Sequence, residues 1–159
     1  LRSQTLQFGQ LPKLMAIVNV TPDSFSDGGK YNDPQAAIDH ALQLVSEGAD
    51  ILDIGGESTR PYSTPVETAE ELRRVVRVIQ GIKRQTKTPI SIDTSKAAVA
   101  REAIDAGAEI INDVTGLAGD PDMIQLAVST GSGVCAMHMQ GTPQTMQDNP
   151  TYANPVEDI

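Results

Sequence analysis

Only one cysteine, Cys135, occurs in 159 residues. A single thiol cannot close an internal disulfide and suits a reducing compartment, so the cytoplasm is the expected location. Cys135 stands in the apolar run Gly133-Val134-Cys135-Ala136-Met137, with no basic neighbour in sequence to activate it. It therefore reads as a small buried strand residue rather than a nucleophile. Positive charge is also scarce. The 12 Lys and Arg stand against 21 Asp and Glu, a net charge of -9, which argues against nucleic acid as a partner. An anionic small molecule is not excluded, because local arginines, helix N-termini or a metal hold phosphate whatever the global charge. No apolar run approaches the roughly 18 residues of a membrane span. The segment 1–10 has neither the basic nor the apolar region of a secretory signal. The first residue is Leu1 rather than Met, so the natural start is expected to be missing or trimmed. A Walker loop, a zinc-ligand cluster and a Ser-His-Asp spacing are all absent.

What is present is a regular alternation of short β-rich runs and longer amphipathic stretches. The runs from Leu14 to Val20, Asp50 to Ile54, Pro89 to Ile92, Glu109 to Asn112 and Gly133 to His138 are predicted strands. Helical spacing predicts helices from Pro34 to Glu47, Glu67 to Arg84, Ser95 to Ala106 and Asp122 to Ser129. Asp33 is a plausible N-cap of the first helix, and Gly48, Gly107 and Gly131 close helix-to-strand turns. The strands read as continuous apolar runs, which predicts a parallel α/β sheet covered on both faces. A polar residue ends each of them: Asn19, Asp53, Asp93, Asn112 and His138. Polar groups at the C-terminal ends of successive strands are the habit of the (β/α)8 TIM barrel. A doubly wound sheet gathers its ligand at one switch point, and no GxGxxG follows the first strand here. The expected architecture is thus a TIM barrel with only about its first five strands and four helices present. Such a barrel needs about 250 residues, so a domain over 1–159 is expected to be incomplete at its C-terminus.

Four segments carry chemistry. Asn19-Val20-Thr21-Pro22-Asp23-Ser24-Phe25-Ser26-Asp27-Gly28-Gly29 offers neutral and acidic oxygens suited to a Mg²⁺ that also touches a substrate phosphate. The plain alternative is a capped surface loop. Asp53-Ile54-Gly55-Gly56-Glu57-Ser58-Thr59-Arg60-Pro61 combines two glycines with hydroxyl and guanidinium donors for phosphate. Asp53 itself reads as structural, orienting backbone or holding a network at the barrel top. Asp93 and Asn112 end adjacent strands, so their side chains are expected to meet over the barrel mouth. A carboxylate facing an amide suits a planar heterocycle with a 2-amino-4-oxo edge. For both, a role as helix N-cap is the alternative. Met137-His138-Met139-Gln140-Gly141 contains no second histidine, so His138 reads as a structural, satisfied histidine rather than a base or metal ligand. His40 is expected to face solvent from its helix. Met137 and Met139 read as packing, although a thioether can floor a flat ligand.

Taken together and in order, these blocks resemble the dihydropteroate synthase family over roughly residues 14 to 152. Met15 to Gly29 resembles its first signature. Gly48-Ala49-Asp50 through Pro61 resembles its second. Ser91-Ile92-Asp93-Thr94, Ile111-Asn112-Asp113-Val114 and Met137 to Gly141 resemble later blocks. The resemblance implies a pterin-binding TIM barrel that condenses 6-hydroxymethyl-7,8-dihydropterin diphosphate with 4-aminobenzoate in folate biosynthesis. It implies Asn19 as a Mg²⁺ ligand and Thr59, Asp93 and Asn112 as pterin diphosphate-binding residues. Arg60 becomes a mobile-loop residue near the diphosphate, Phe25 and Pro61 loop residues beside the aminobenzoate, and Asp27 a first-loop acid. Asp93, Asp27 and Arg60 are the residues expected to carry catalysis, and Met137 to touch substrate. A cytoplasmic homodimer open to sulfonamides is also implied. The family's later strands bring a further pterin-contacting Asp, a Lys and a Ser-x-Arg-x-His segment, none of which follows here. Two other readings remain: a pterin- or folate-binding methyltransferase domain, and a non-catalytic pterin-binding fragment.

Overall fold

The computed structural model describes residues 1–9, 11–21, 34–58, 64–142 and 145–159. Five strands form one parallel sheet in chain order: β1 (Met15–Asn19), β2 (Ile51–Gly55), β3 (Ile90–Asp93), β4 (Ile110–Asp113) and β5 (Gly133–Ala136). Between them run α1 (Pro34–Ser46), α2 (Thr68–Lys83), α3 (Ala97–Ala106) and α4 (Met123–Thr130), and a short α5 (Pro155–Asp158) follows. The unbroken order β1-β2-β3-β4-β5 is that of a barrel wall, where each βα unit adds the next strand on the same side. It is the α/β arrangement that the sequence predicts. The element ends agree to within one or two residues, and α5 lies outside the predicted set.

Aliphatic side chains hold the layers together. Leu52, Ile54, Ile90, Ile92 and Ile111 from the sheet are fully buried against Val75, Ile79 and Ile82 of α2 and Val99 and Ile104 of α3. Each side chain of this size contributes roughly 1.5–3 kcal/mol when removed from water. The helices end where the turn glycines stand: Gly48, Gly107 and Gly131 all take positive φ.

The outer strands depart from expectation. The predicted buried β1 exposes Ile17 by 64% and Met15 by 37%, and only Val18 in it is buried. In β5, Val134 is exposed by 44%, and Cys135, expected to be buried, is exposed. The cause is position in the sheet. β2, β3 and β4 have a strand on either side, whereas β1 and β5 have one neighbour each. No helix among the described residues is long and apolar enough to cross a membrane.

Candidate active site

Parallel pairing sets one residue from each of four strands in a single row at the C-terminal end of the sheet. Asn19 pairs with Gly55, Gly55 with Asp93, and Asp93 with Asn112. Residues in register across a parallel sheet project from the same face, so the row presents a carboxamide, a gap, a carboxylate and a second carboxamide. The gap is Gly55. A Cβ there would lie 3.5 Å from both Asn19 Oδ1 and Asp93 Oδ2, so the missing side chain leaves these two oxygens facing a shared space.

Asp93 is the reactive-looking member. Its carboxyl is half-buried and has no hydrogen-bond partner among the described residues. Burial, followed by the charges of Asp53, Glu71, Asp113 and Glu57, pushes its pKa up to about 7. An N-cap role is not what Asp93 performs: α3 is capped from Lys96, without a side-chain cap bond. Asn112 stands in register beside Asp93, but no hydrogen bond joins the two side chains among the described residues. Its Nδ2 donates instead to Asp53 Oδ2 at 2.9 Å, joining alternate strands beneath the row. Side chains from alternate strands form the layers inside a barrel, so this pair belongs to the layer below Asp93. The bond leaves the Asn112 carbonyl oxygen for another partner. Burial also raises the pKa of Asp53, opposed by nearby Ser91 and Asn112. Asp53 Oδ1 and Ser91 Oγ are buried without a hydrogen bond of normal geometry. The bond from Asn112 to Asp53 is the kind of network at the barrel top that the sequence suggests for Asp53, and the Asp53 charge also acts on Asp93.

The glycine pair does a second job one residue on. A Cβ on Gly56 would come within 2.8 Å of Val75 Cγ1 and 3.0 Å of Glu71 Cγ, so this backbone presses directly against α2. Arg74 Nη1 donates to Gly56 O at 2.8 Å. Lys96 donates to the Glu57 carboxylate, to Glu71 Oε2 at 2.6 Å and to Val66 O at 2.8 Å. Asp113 serves its own turn, accepting from Thr115 N at 2.8 Å and Leu117 N at 3.1 Å.

At the far rim a cavity of about 560 Å³ opens among Thr115, Gly116, Ala136, Met137, His138 and Met139. Met137 is 37% exposed there, so it faces the cavity rather than packing in the core. His138 meets the Tyr152 hydroxyl at 3.0 Å, the satisfied partner expected for it. His40 is exposed on α1, as expected. Phe25, Asp27, Thr59, Arg60 and Pro61, together with the Asp33 cap, lie outside the described residues. The structure thus brings together Asn19, Asp93 and Asn112 from the expected set and adds Asp53 and the Lys96 cluster to it.

Comparison with known proteins gives the same outline. The family described as pterin binding enzyme matches residues 15–159. A dihydropteroate synthase of Escherichia coli strain K12 is 50% identical over 141 residues, 89% of this chain and 50% of the relative. The dihydropteroate synthase of Yersinia pestis, solved as a sulfonamide drug complex, superposes with a TM-score of 0.83 at 48% identity, covering 92% of this chain and 53% of that one. The enzyme from Xanthomonas albilineans in complex with 7,8-dihydropteroate gives a TM-score of 0.78 at 44% identity, covering 94% of this chain and 51% of that one. The chain spans about half the length of the curated relatives it matches.

Proposed function

The chain belongs to the pterin-binding enzyme family, and from that premise we propose that it forms the first part of a dihydropteroate synthase, a transferase of folate biosynthesis. Its substrates are 6-hydroxymethyl-7,8-dihydropterin diphosphate and 4-aminobenzoate, and its products 7,8-dihydropteroate and diphosphate. The relative bound to 7,8-dihydropteroate supports the pairing, since that molecule joins a pterin methylene to an arylamine. The observation that carries the reading is Asp93. A half-buried carboxyl without a hydrogen-bond partner among the described residues, flanked by the Asn19 and Asn112 carboxamides, suits a flat ring with adjacent N–H groups and a carbonyl.

The roles follow from the chemistry. Asp93 accepts from the ring N–H groups, and the Asn112 side-chain oxygen lies beside it in register. The bond from the methylene carbon to the diphosphate oxygen breaks, and the electron pair leaves with diphosphate. Thr59 and Arg60 stabilise that departing charge. The electron-rich ring spreads the positive charge left on carbon, and the ionised Asp93 favours it electrostatically. The arylamine lone pair then forms the C–N bond, and the amine proton passes to the departing diphosphate. Phe25, Asp27 and Arg60 are assigned to excluding water, which competes as nucleophile, and Phe25 and Pro61 to the aminobenzoate. Met137 lines the cavity at the far rim and is assigned to contact substrate from there.

A magnesium ion fits this donor set. Among the described residues no three His, Cys, Asp or Glu form a metal cage. Mg²⁺ commonly keeps its waters and takes only one or two protein oxygens plus substrate phosphate. Asn19 Oδ1, at the Gly55 gap, is such an oxygen. When bound, Mg²⁺ would supply charge neutralisation at the diphosphate. The free Cys135 thiol supports a reducing, cytoplasmic setting. A homodimer rests on the family resemblance alone.

Calorimetry tests the reading. In a polypeptide of the relatives' length that includes this chain, Asp93→Ala should weaken pterin diphosphate binding by about a hundredfold or more, the loss of a charge-assisted bond pair. Unchanged affinity would remove Asp93 from the site.

A further inference from the structure

The sequence between β2 and α2 contains Ser58, Thr59 and Arg60, and one ammonium group binds both of its ends. Lys96 donates to Glu57, just after β2, and to Val66 O, just before α2. Its remaining proton goes to Glu71 Oε2 at 2.6 Å, on the first turn of α2. All three donors of the ammonium are therefore used, each on a different part of the connection. Glu71 is fully buried, and its second oxygen has no partner, so Lys96 is its charge compensation among the described residues. Burial works against the Lys96 charge, but hydrogen bonds and charge from Glu57 and Glu71 outweigh it and hold its pKa above the usual lysine value.

A clasp of this kind has a reason to be here. Glu57 follows Gly56, which is already pressed on α2 and held by Arg74. Arg74 is in turn bound to Glu70 at 2.8 Å. Glu57 and Val66, the described flanks of this connection, are thereby tied to one point, which lowers the ordering cost of binding a ligand there. Lys96 also sits three positions after Asp93 on the connection out of β3, so the same residue fixes this loop relative to the ring-binding carboxylate. The ammonium is saturated by its partners and has no proton left for substrate.

We infer that Lys96, with Glu57 and Glu71, is a positioning residue that holds both stems of the β2–α2 connection in register with the diphosphate of the substrate. The inference rests on the proposed function and deepens it: Asp93 and Asn112 read the ring, whereas the Lys96 clasp serves only the phosphate end.

That division gives a readout that general destabilisation does not imitate. Two ligands are titrated by calorimetry into the polypeptide of the relatives' length: 6-hydroxymethyl-7,8-dihydropterin diphosphate with Mg²⁺, and the corresponding alcohol without diphosphate. Lys96→Met keeps the length of the side chain and removes its charge. It should weaken the diphosphate ester by about tenfold or more while leaving the alcohol within about twofold. Equal losses for both ligands, or no loss for either, would overturn the inference. Should Lys96→Met fail to fold, Glu57→Gln decides by the same criterion, because Glu57 is part-exposed and the amide still accepts one bond. Failure of the unsubstituted protein to bind the ester would instead overturn the functional reading, and this inference with it.

Discussion

Asp93 combines two demands that oppose each other. In the proposed function its carboxyl, without a hydrogen-bond partner among the described residues, accepts from the ring, yet burial and four neighbouring acids make its charge costly. Its pKa of about 7 in the folded chain stands well above the ordinary value of 3.8. The folded state therefore holds a proton that the unfolded state releases between those values. The associated stability is fully present below the ordinary pKa and is lost as pH rises through about 7. Asp93→Asn removes the titrating charge. Its stability relative to the parent should thus improve as pH is raised from about 5 to about 8, as read by urea unfolding at both values. A difference that stays constant with pH would show that Asp93 does not titrate abnormally. Of the site residues, Asn19, Asp93 and Asn112 were legible because each ends an apolar run. Lys96 and Asp53 were not legible as members of one site. The partners of Lys96 lie 39 and 25 residues away, and those of Asp53 across two strands. One trace did exist: Glu71 falls four positions before Val75 on the apolar stripe of α2, where a charge demands a partner.

At the level of elements, close helix contact is set by a glycine that propensity alone would disfavour. Gly81 lies inside α2, where alanine would gain about 1 kcal/mol of intrinsic helix stability. A Cβ there would come within 2.2 Å of Ile38 Cδ1 and 2.9 Å of Ile38 Cγ1, and Ile38 is only 6% exposed on α1. Packing should win. Gly81→Ala is expected to destabilise the chain by about 1–3 kcal/mol in urea unfolding, with partial recovery when Ile38→Val removes the nearer methyl group. A stabilised Gly81→Ala would show that α1 shifts freely on α2. The helices were legible from their period and the turn glycines from their place after it. An open set of five strands is expected to leave a sheet edge and an apolar interior uncovered, and Ile17, Val134 and Cys135 are exposed on the outer strands. The individual residues were not legible, because an apolar run reads the same in a central strand and in one with a single neighbour.

For the whole molecule, the row of Asn19, Gly55, Asp93 and Asn112 spans four strands of one parallel wall, and the site grows along that wall rather than at one crevice. The order of the βα units and the polar residue ending each strand made this arrangement readable in advance. Which oxygen meets which amide was not readable, since strand stagger and the missing Gly55 side chain decide it. The chain spans about half of its relatives, and the proposed cationic partners of the diphosphate beyond Arg60 are assigned to the remainder of that length. Synthase activity should therefore require both. Incorporation of radiolabelled 4-aminobenzoate into pteroate, with pterin diphosphate and Mg²⁺ supplied, measures this directly. A polypeptide of the relatives' length that includes this chain should form labelled product, and residues 1–159 alone should not. Absence of product from the longer polypeptide would contradict the assignment, and turnover by residues 1–159 would contradict the claim that the chain holds only part of the pocket.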